Sequence, residues 1–167
     1  ARPIELLKDK TVGVRQLTNL SKSLNIGEEE LRRLIELGMS GRLLSRGEPK
    51  NMEGNFLAPT ELAQTWLDAN LAEKWQLLLE SWTTSTWTSE GRTLAHTNDR
   101  LPSFREKVLQ VYLRGAKPTF EEALRFHFPL FATHTADETI ADLRAEAEWI
   151  GAIALERPTS VLIEGPE

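Results

Sequence analysis

The chain has 167 residues, with 20 Lys and Arg against 25 Asp and Glu, no Cys, and a formal charge of −5. Its length suits one domain or two small ones, and 40% hydrophobic with 27% charged residues is the mixture of a globular protein. The missing cysteines exclude disulfides, thiolate zinc sites, iron–sulfur clusters and a cysteine nucleophile. No apolar run approaches the ~20 residues of a membrane helix, and Ala1-Arg2-Pro3-Ile4 opens no signal peptide. A cytoplasmic location without a membrane partner is expected, and the absent initiator Met suits a piece of a longer protein.

Charge is unevenly spread. Residues 1–60 carry ten Lys and Arg against eight Asp and Glu, a net of +2, whereas 61–100 have a net of −3 and 101–167 a net of −4. Only the first third is suited to face phosphate; the rest reads as a solvated acidic surface or one that meets a basic partner.

From the N-terminus, Val14, Leu17, Leu20 and Leu24 recur at helical spacing up to the turn Asn25-Ile26-Gly27. Asn25 is expected to cap a second helix, with Glu28 at the capping-box position and Glu28, Glu29 and Glu30 toward the positive end of its dipole. That helix puts Leu31, Leu34 and Ile35 on one face and is expected to end at Gly38. Helix, short turn, helix is the helix-turn-helix order. Two short apolar segments follow, Leu43-Leu44 and Phe56-Leu57, around a polar loop from Gly47 to Gly54. A hairpin in that place is the wing of a winged helix.

Thr60 is placed to cap a helix holding Leu62, Trp66 and Leu67. A longer helix from Leu71 then carries Trp75, Leu78, Leu79 and Trp82 in an apolar stripe, so Trp75 and Trp82 are read as core. Residues 83–100 hold eight Ser or Thr and read as a connection, with Trp87 as an exposed stacking candidate inside it.

The same order then returns. Capping boxes are expected at Ser103/Glu106, Thr119/Glu122 and Thr135/Glu138, ahead of the apolar sets Phe104-Val108-Val111-Tyr112, Leu124-Phe128 and Ile140-Leu143-Ala147-Ile150. Ile153–Leu155 and Val161–Ile163 are β-prone runs that suggest a second hairpin. The expected fold is mainly α with short β-hairpins: two winged-helix-like modules joined by a Ser/Thr-rich connection, with boundaries 1–88, 89–101 and 102–167.

Several strings in this order resemble the actinobacterial helicase-associated family, large proteins related to XPB-type helicase regions. They are Val12-Gly13-Val14-Arg15-Gln16-Leu17, Phe56-Leu57-Ala58-Pro59-Thr60, Trp66-Leu67-Asp68, Glu73-Lys74-Trp75 and Ser81-Trp82. Arg105-Glu106-Lys107-Val108-Leu109 and Glu146-Ala147-Glu148-Trp149-Ile150-Gly151 continue the likeness, which spans most of residues 6–163. Ala58, and the stretch 83–100, depart from the pattern. The resemblance implies winged-helix architecture and a DNA-binding or DNA-metabolism role within a longer chain. It brings no catalytic residue to this region.

Catalytic motifs are missing from the sequence. Neither G-x-x-x-x-G-K-[ST] nor G-x-G-x-x-G occurs, and Gly38-Met39-Ser40-Gly41 suits a helix C-terminus better than a phosphate loop. His96, His127 and His134 share no one-turn spacing, and no G-x-S-x-G elbow is present. Of the carboxylate pairs, Glu121/Glu122 opens a helix and Glu146/Glu148 diverges at i, i+2. No enzyme activity, metal or cofactor is therefore expected of this region.

The binding candidates are cations: Lys22 near the end of the first helix, Arg32 and Arg33 on the second, and Arg42, Arg46 and Lys50 at or in the wing. In a DNA-binding winged helix the second helix enters the major groove while the wing grips phosphate, and an arginine fork suits a guanine edge. Glu28, Glu29, Glu30 and Glu36 on the same helix oppose phosphate. The expectation is DNA contact through residues 1–60, with protein partners or other domains of the parent chain meeting the acidic remainder. An acidic protein–protein interaction scaffold is the alternative.

Overall fold

The computed structural model describes residues 3–8, 11–48, 53–86, 98–115 and 119–164. These are mainly helical, with a few short antiparallel strands, and the chain divides into two compact units, Ala1–Asp99 and Arg100–Glu167.

In the first unit, β1 (Ile4–Glu5), α1 (Val14–Leu24), α2 (Glu28–Ser40), β2 (Leu44–Gly47) and β3 (Phe56–Pro59) come first, followed by α3 (Glu61–Asp68) and α4 (Leu71–Thr84). The strands form one antiparallel sheet in the order β1-β3-β2, with Ile4 opposite Leu57 and Leu44 opposite Pro59. Leu17 of α1, Leu31 and Ile35 of α2, Leu57 of β3 and Leu6 make the core, and Ile4, Val12, Leu20 and Met39 pack around it. Of the expected α1 face only Leu17 is buried, while Val14 and Leu24 lie in solvent; Leu34 of α2 is exposed as well.

The α1–α2 turn differs from the expectation. Asn25 closes α1 in the left-handed conformation, φ 54°, and the N-cap of α2 is Gly27, without a side-chain cap. A short polar side chain tolerates that conformation, so Asn25 serves the preceding helix. Glu28 accepts a hydrogen bond from Thr18 Oγ1 at 2.7 Å, tying α2 to α1 instead of completing a box.

Past Gly38, α2 continues to Ser40, and Gly41 follows it. A Cβ on Gly41 would lie 2.5 Å from Ser81 Oγ, so its role is close approach: it lets α4 sit against α2. Thr60 caps α3 as expected, accepting from the Ala63 amide, and its hydroxyl donates to the Arg42 carbonyl at 2.6 Å. Asn70 and Glu73 cap α4 reciprocally. Within α4, Trp82 is buried, Trp75 is half-buried and Leu71 stands in solvent, so the stripe is core only toward its C-terminal end. Trp87 lies outside the described residues.

The second unit contains α5 (Leu101–Arg114), α6 (Phe120–His127), α7 (Pro129–His134), α8 (Asp137–Trp149), β4 (Ile153–Ala154), β5 (Arg157–Pro158) and α9 (Ser160–Glu164). Val108, Val111 and Tyr112 of α5 pack with Phe120 and Leu124 of α6, Leu143 and Ala147 of α8, and Ile153 in its core. Thr119 caps α6 by accepting from the Glu122 amide, which is one half of the expected box. The other two boxes are absent: α5 starts at Leu101, which puts Ser103 inside its first turn, and α8 is preceded by Ala136 without a side-chain cap. The hairpin is shorter than expected. Ala154 pairs with Arg157 across a turn in which Leu155 (φ 50°) and Glu156 (φ 59°) are both left-handed, the backbone of a tight two-residue connection. Residues 161–163, expected as its second strand, belong to α9. A β-branched run does not make a strand where the hairpin has already closed upstream.

Candidate nucleic-acid interface

The predicted cations occupy separate elements of the first unit. Lys22 is exposed in the last turn of α1. Arg32 and Arg33 are half-buried on α2. Arg42 is exposed on the turn after α2, at φ 57°, and Arg46 is exposed on β2. Lys50 lies outside the described residues.

The α2 arginines turn back along their own helix. Arg33 Nη2 lies 2.7 Å from Glu29 Oε1, and Arg32 Nη2 lies 3.9 Å from Glu28 Oε2, both at i, i+4. Glu28, Glu29 and Glu30 fill the first turn of α2, where carboxylates complement the helix dipole. Three acids against two arginines leave the N-terminal half of α2 net negative. In helices that read DNA this is the end that meets base edges, and carboxylates there oppose phosphate.

Other candidates resolve into structural roles. Arg105 of α5, 3% exposed, forms an ion pair of 3.0 Å with Glu146 of α8. Arg144 of α8 reaches Glu121 at 3.0 Å, Glu156 at 2.6 Å and the Tyr112 hydroxyl at 3.0 Å, with its guanidinium 4.4 Å from the Phe120 ring centre. One member of each carboxylate pair is thus an arginine partner. Burial pushes the Tyr112 phenol up to about 12, against the opposing pull of Arg144. Sequence position alone does not single out these two arginines, because their partners sit on other elements.

Among the described residues no group of three or more His, Asp or Glu is placed to hold a metal ion, and no helix is long and apolar enough to cross a membrane. A cleft of about 300 Å³ in the second unit has Glu121, Arg125, Asp137 and Arg144 around Leu124 and Ile140, opposite charges over an apolar floor. Comparison with family models, curated proteins and solved structures finds no match to the chain.

Proposed function

We propose that the chain is a non-catalytic region of a longer, helicase-related protein of DNA metabolism, and that its first unit docks proteins instead of reading duplex DNA. The element order β1-α1-α2-β2-β3 with sheet order β1-β3-β2 supports a winged helix in that unit. In the second unit four helices, α5 to α8, precede the hairpin and a short α9 follows it; the hairpin set directly after α8 supports a related module there. The helicase relation rests on the sequence strings alone.

One observation carries the choice of docking over DNA reading: Arg32 and Arg33, the side chains best placed for base edges, are paired with Glu28 and Glu29 in an acidic first turn. A second reading is favoured by Lys22 and Arg42, which are exposed without an ion pair among the described residues. In that reading these cations and Arg46 grip the phosphate backbone without base contacts.

Charge conversion on α2 separates the two. If the acidic turn is what bars DNA, Glu29→Lys with Glu30→Lys creates affinity for a labelled duplex that the unmodified chain lacks, measured by fluorescence anisotropy at low salt. Duplex binding by the unmodified chain that survives Arg32→Ala with Arg33→Ala and is lost in Lys22→Ala with Arg42→Ala would instead establish the second reading, whereas loss in Arg32→Ala with Arg33→Ala would establish a DNA-reading helix.

A further inference from the structure

In the second unit, α6 and α8 each pack against α5, and the cleft of about 300 Å³ lies between them. Glu121, Leu124 and Arg125 of α6 line one wall, and Asp137, Ile140, Ala141 and Arg144 of α8 line the other. Spacings of three, four and seven put each set on one face of its helix, so both walls are continuous. Leu124 and Ile140 are buried and floor the cleft, whereas Arg125 and Asp137 are exposed. The charges around that floor are unequally satisfied. Arg144 is engaged by Glu121, Glu156 and the Tyr112 hydroxyl, and its pair with Glu121 ties the two walls together. The side chains of Arg125 and Asp137 have no ion pair or hydrogen bond among the described residues, either with each other or with a third group. One wall thus presents an unpaired guanidinium and the other an unpaired carboxylate, across an apolar surface.

We propose that this cleft binds a free α-amino acid with an apolar side chain, its carboxylate on Arg125, its ammonium on Asp137 and its side chain over Leu124 and Ile140. The site is independent of the docking reading of the first unit. Complementarity selects the ligand class. A simple anion gains Arg125 but faces the carboxylates of Asp137 and Glu121, and a simple cation gains the carboxylates but faces Arg125. An uncharged apolar molecule covers the floor and strips water from both charges without replacing it. In a zwitterion each charge meets its opposite, through charge-assisted hydrogen bonds about twice as strong as neutral ones. The cleft lies at the small end of ligand pockets, and an apolar floor with a few polar groups around it is the usual composition of such sites.

The probe is L-leucine, titrated into the full chain by calorimetry. Three analogues run beside it: isocaproate, which lacks the ammonium, isoamylamine, which lacks the carboxylate, and glycine, which lacks the side chain. L-leucine is expected to bind saturably with a Kd of about 1 mM or below, and each analogue to bind about tenfold more weakly or not at all. Arg125→Gln and Asp137→Asn should each weaken L-leucine by about tenfold or more. Both side chains stand in solvent, so an unchanged thermal midpoint certifies the fold, and the analogue series needs no variant.

No saturable binding of L-leucine would overturn the proposal. Binding of isocaproate or isoamylamine as tight as that of L-leucine would overturn it too, by showing that one charge of the pair is idle. Glycine binding equally well would remove the apolar floor from the site, and L-leucine binding unchanged in either variant would move the site elsewhere. Each of these outcomes concerns the second unit alone and leaves the duplex test of the first untouched.

Discussion

The two units use arginine in opposite ways. In the first, Arg32 and Arg33 pair with carboxylates one helical turn back on the same helix. In the second, Arg105 reaches a carboxylate 41 residues away, while Arg144 reaches ones 23 and 12 residues away. Local pairs at a surface add little, because water solvates either charge nearly as well. A buried pair between distant elements fixes how those elements meet, and breaking one side of it strands the other. Counts of like residues in two halves of a chain therefore do not measure comparable surfaces. The charge excess of the first sixty residues translates poorly into a binding patch, and the acidic second unit spends two of its arginines on joining its own elements, one of them buried.

The sharpest way to break this comparison is at Arg105. Arg105→Ala should destabilise the chain by about 2–4 kcal/mol in urea, because it removes a buried side chain packed between α5 and α8 together with its 3.0 Å pair to the half-buried Glu146. Replacing the pair together, Arg105→Met with Glu146→Leu, should recover most of that loss. An Arg105→Ala effect below about 1 kcal/mol would place this pair with the surface ones.

Next in size is the Tyr112–Arg144 cluster. Tyr112 is the chain's single tyrosine, so phenolate absorbance reports it alone. Its ionisation should centre near about 12 in the folded protein, against about 10 for a free phenol. The raised value sets the sign. The contribution is intact below about pH 10 and is lost as pH climbs toward about 12, because the unfolded chain ionises first. Two units correspond to about 2–3 kcal/mol. A midpoint near the free value would mean that the phenol stays solvated.

Gly41→Ala probes the α2–α4 approach. The added methyl meets Ser81 Oγ, so a loss of about 1–3 kcal/mol is expected from overpacking, and Ser81→Ala should relieve part of it. Equal effects in both backgrounds would show that α4 gives way freely.

Smallest is Arg33→Ala, where losing the pair with Glu29 should cost about 0.3–0.5 kcal/mol. Its ratio to the Arg105 effect is the comparison in its most compact form.

Helix identity and several boundaries were legible from local chemistry. Thr60 and Thr119 cap the helices they precede, and Pro129 separates α6 from α7, because such signals act within one turn. What depends on distant partners was not legible. The two-residue strand β1 exists by pairing with β3, more than fifty residues on. Asn25 is equally suited to close one helix or open the next, and only the backbone conformation decides. The run at 161–163 reads as strand by composition but lies beyond the turn that closes the hairpin. For the candidate site, the sequence located Arg32 and Arg33 and the acids beside them. It did not say which tendency wins, since i, i+4 pairing depends on rotamers. Leu62 and Leu67 were placed on a helix, but whether their side chains are covered depends on elements outside it, and both stand exposed.

Duplex binding by the intact chain tests the central claim most directly. With α2 neutralised by its own acids, anisotropy of a labelled duplex should stay flat at low salt. Saturable binding whose log–log salt slope lies near about −3 to −4, the mark of three or four phosphates engaged, and which Arg32→Ala with Arg33→Ala abolishes, would contradict it.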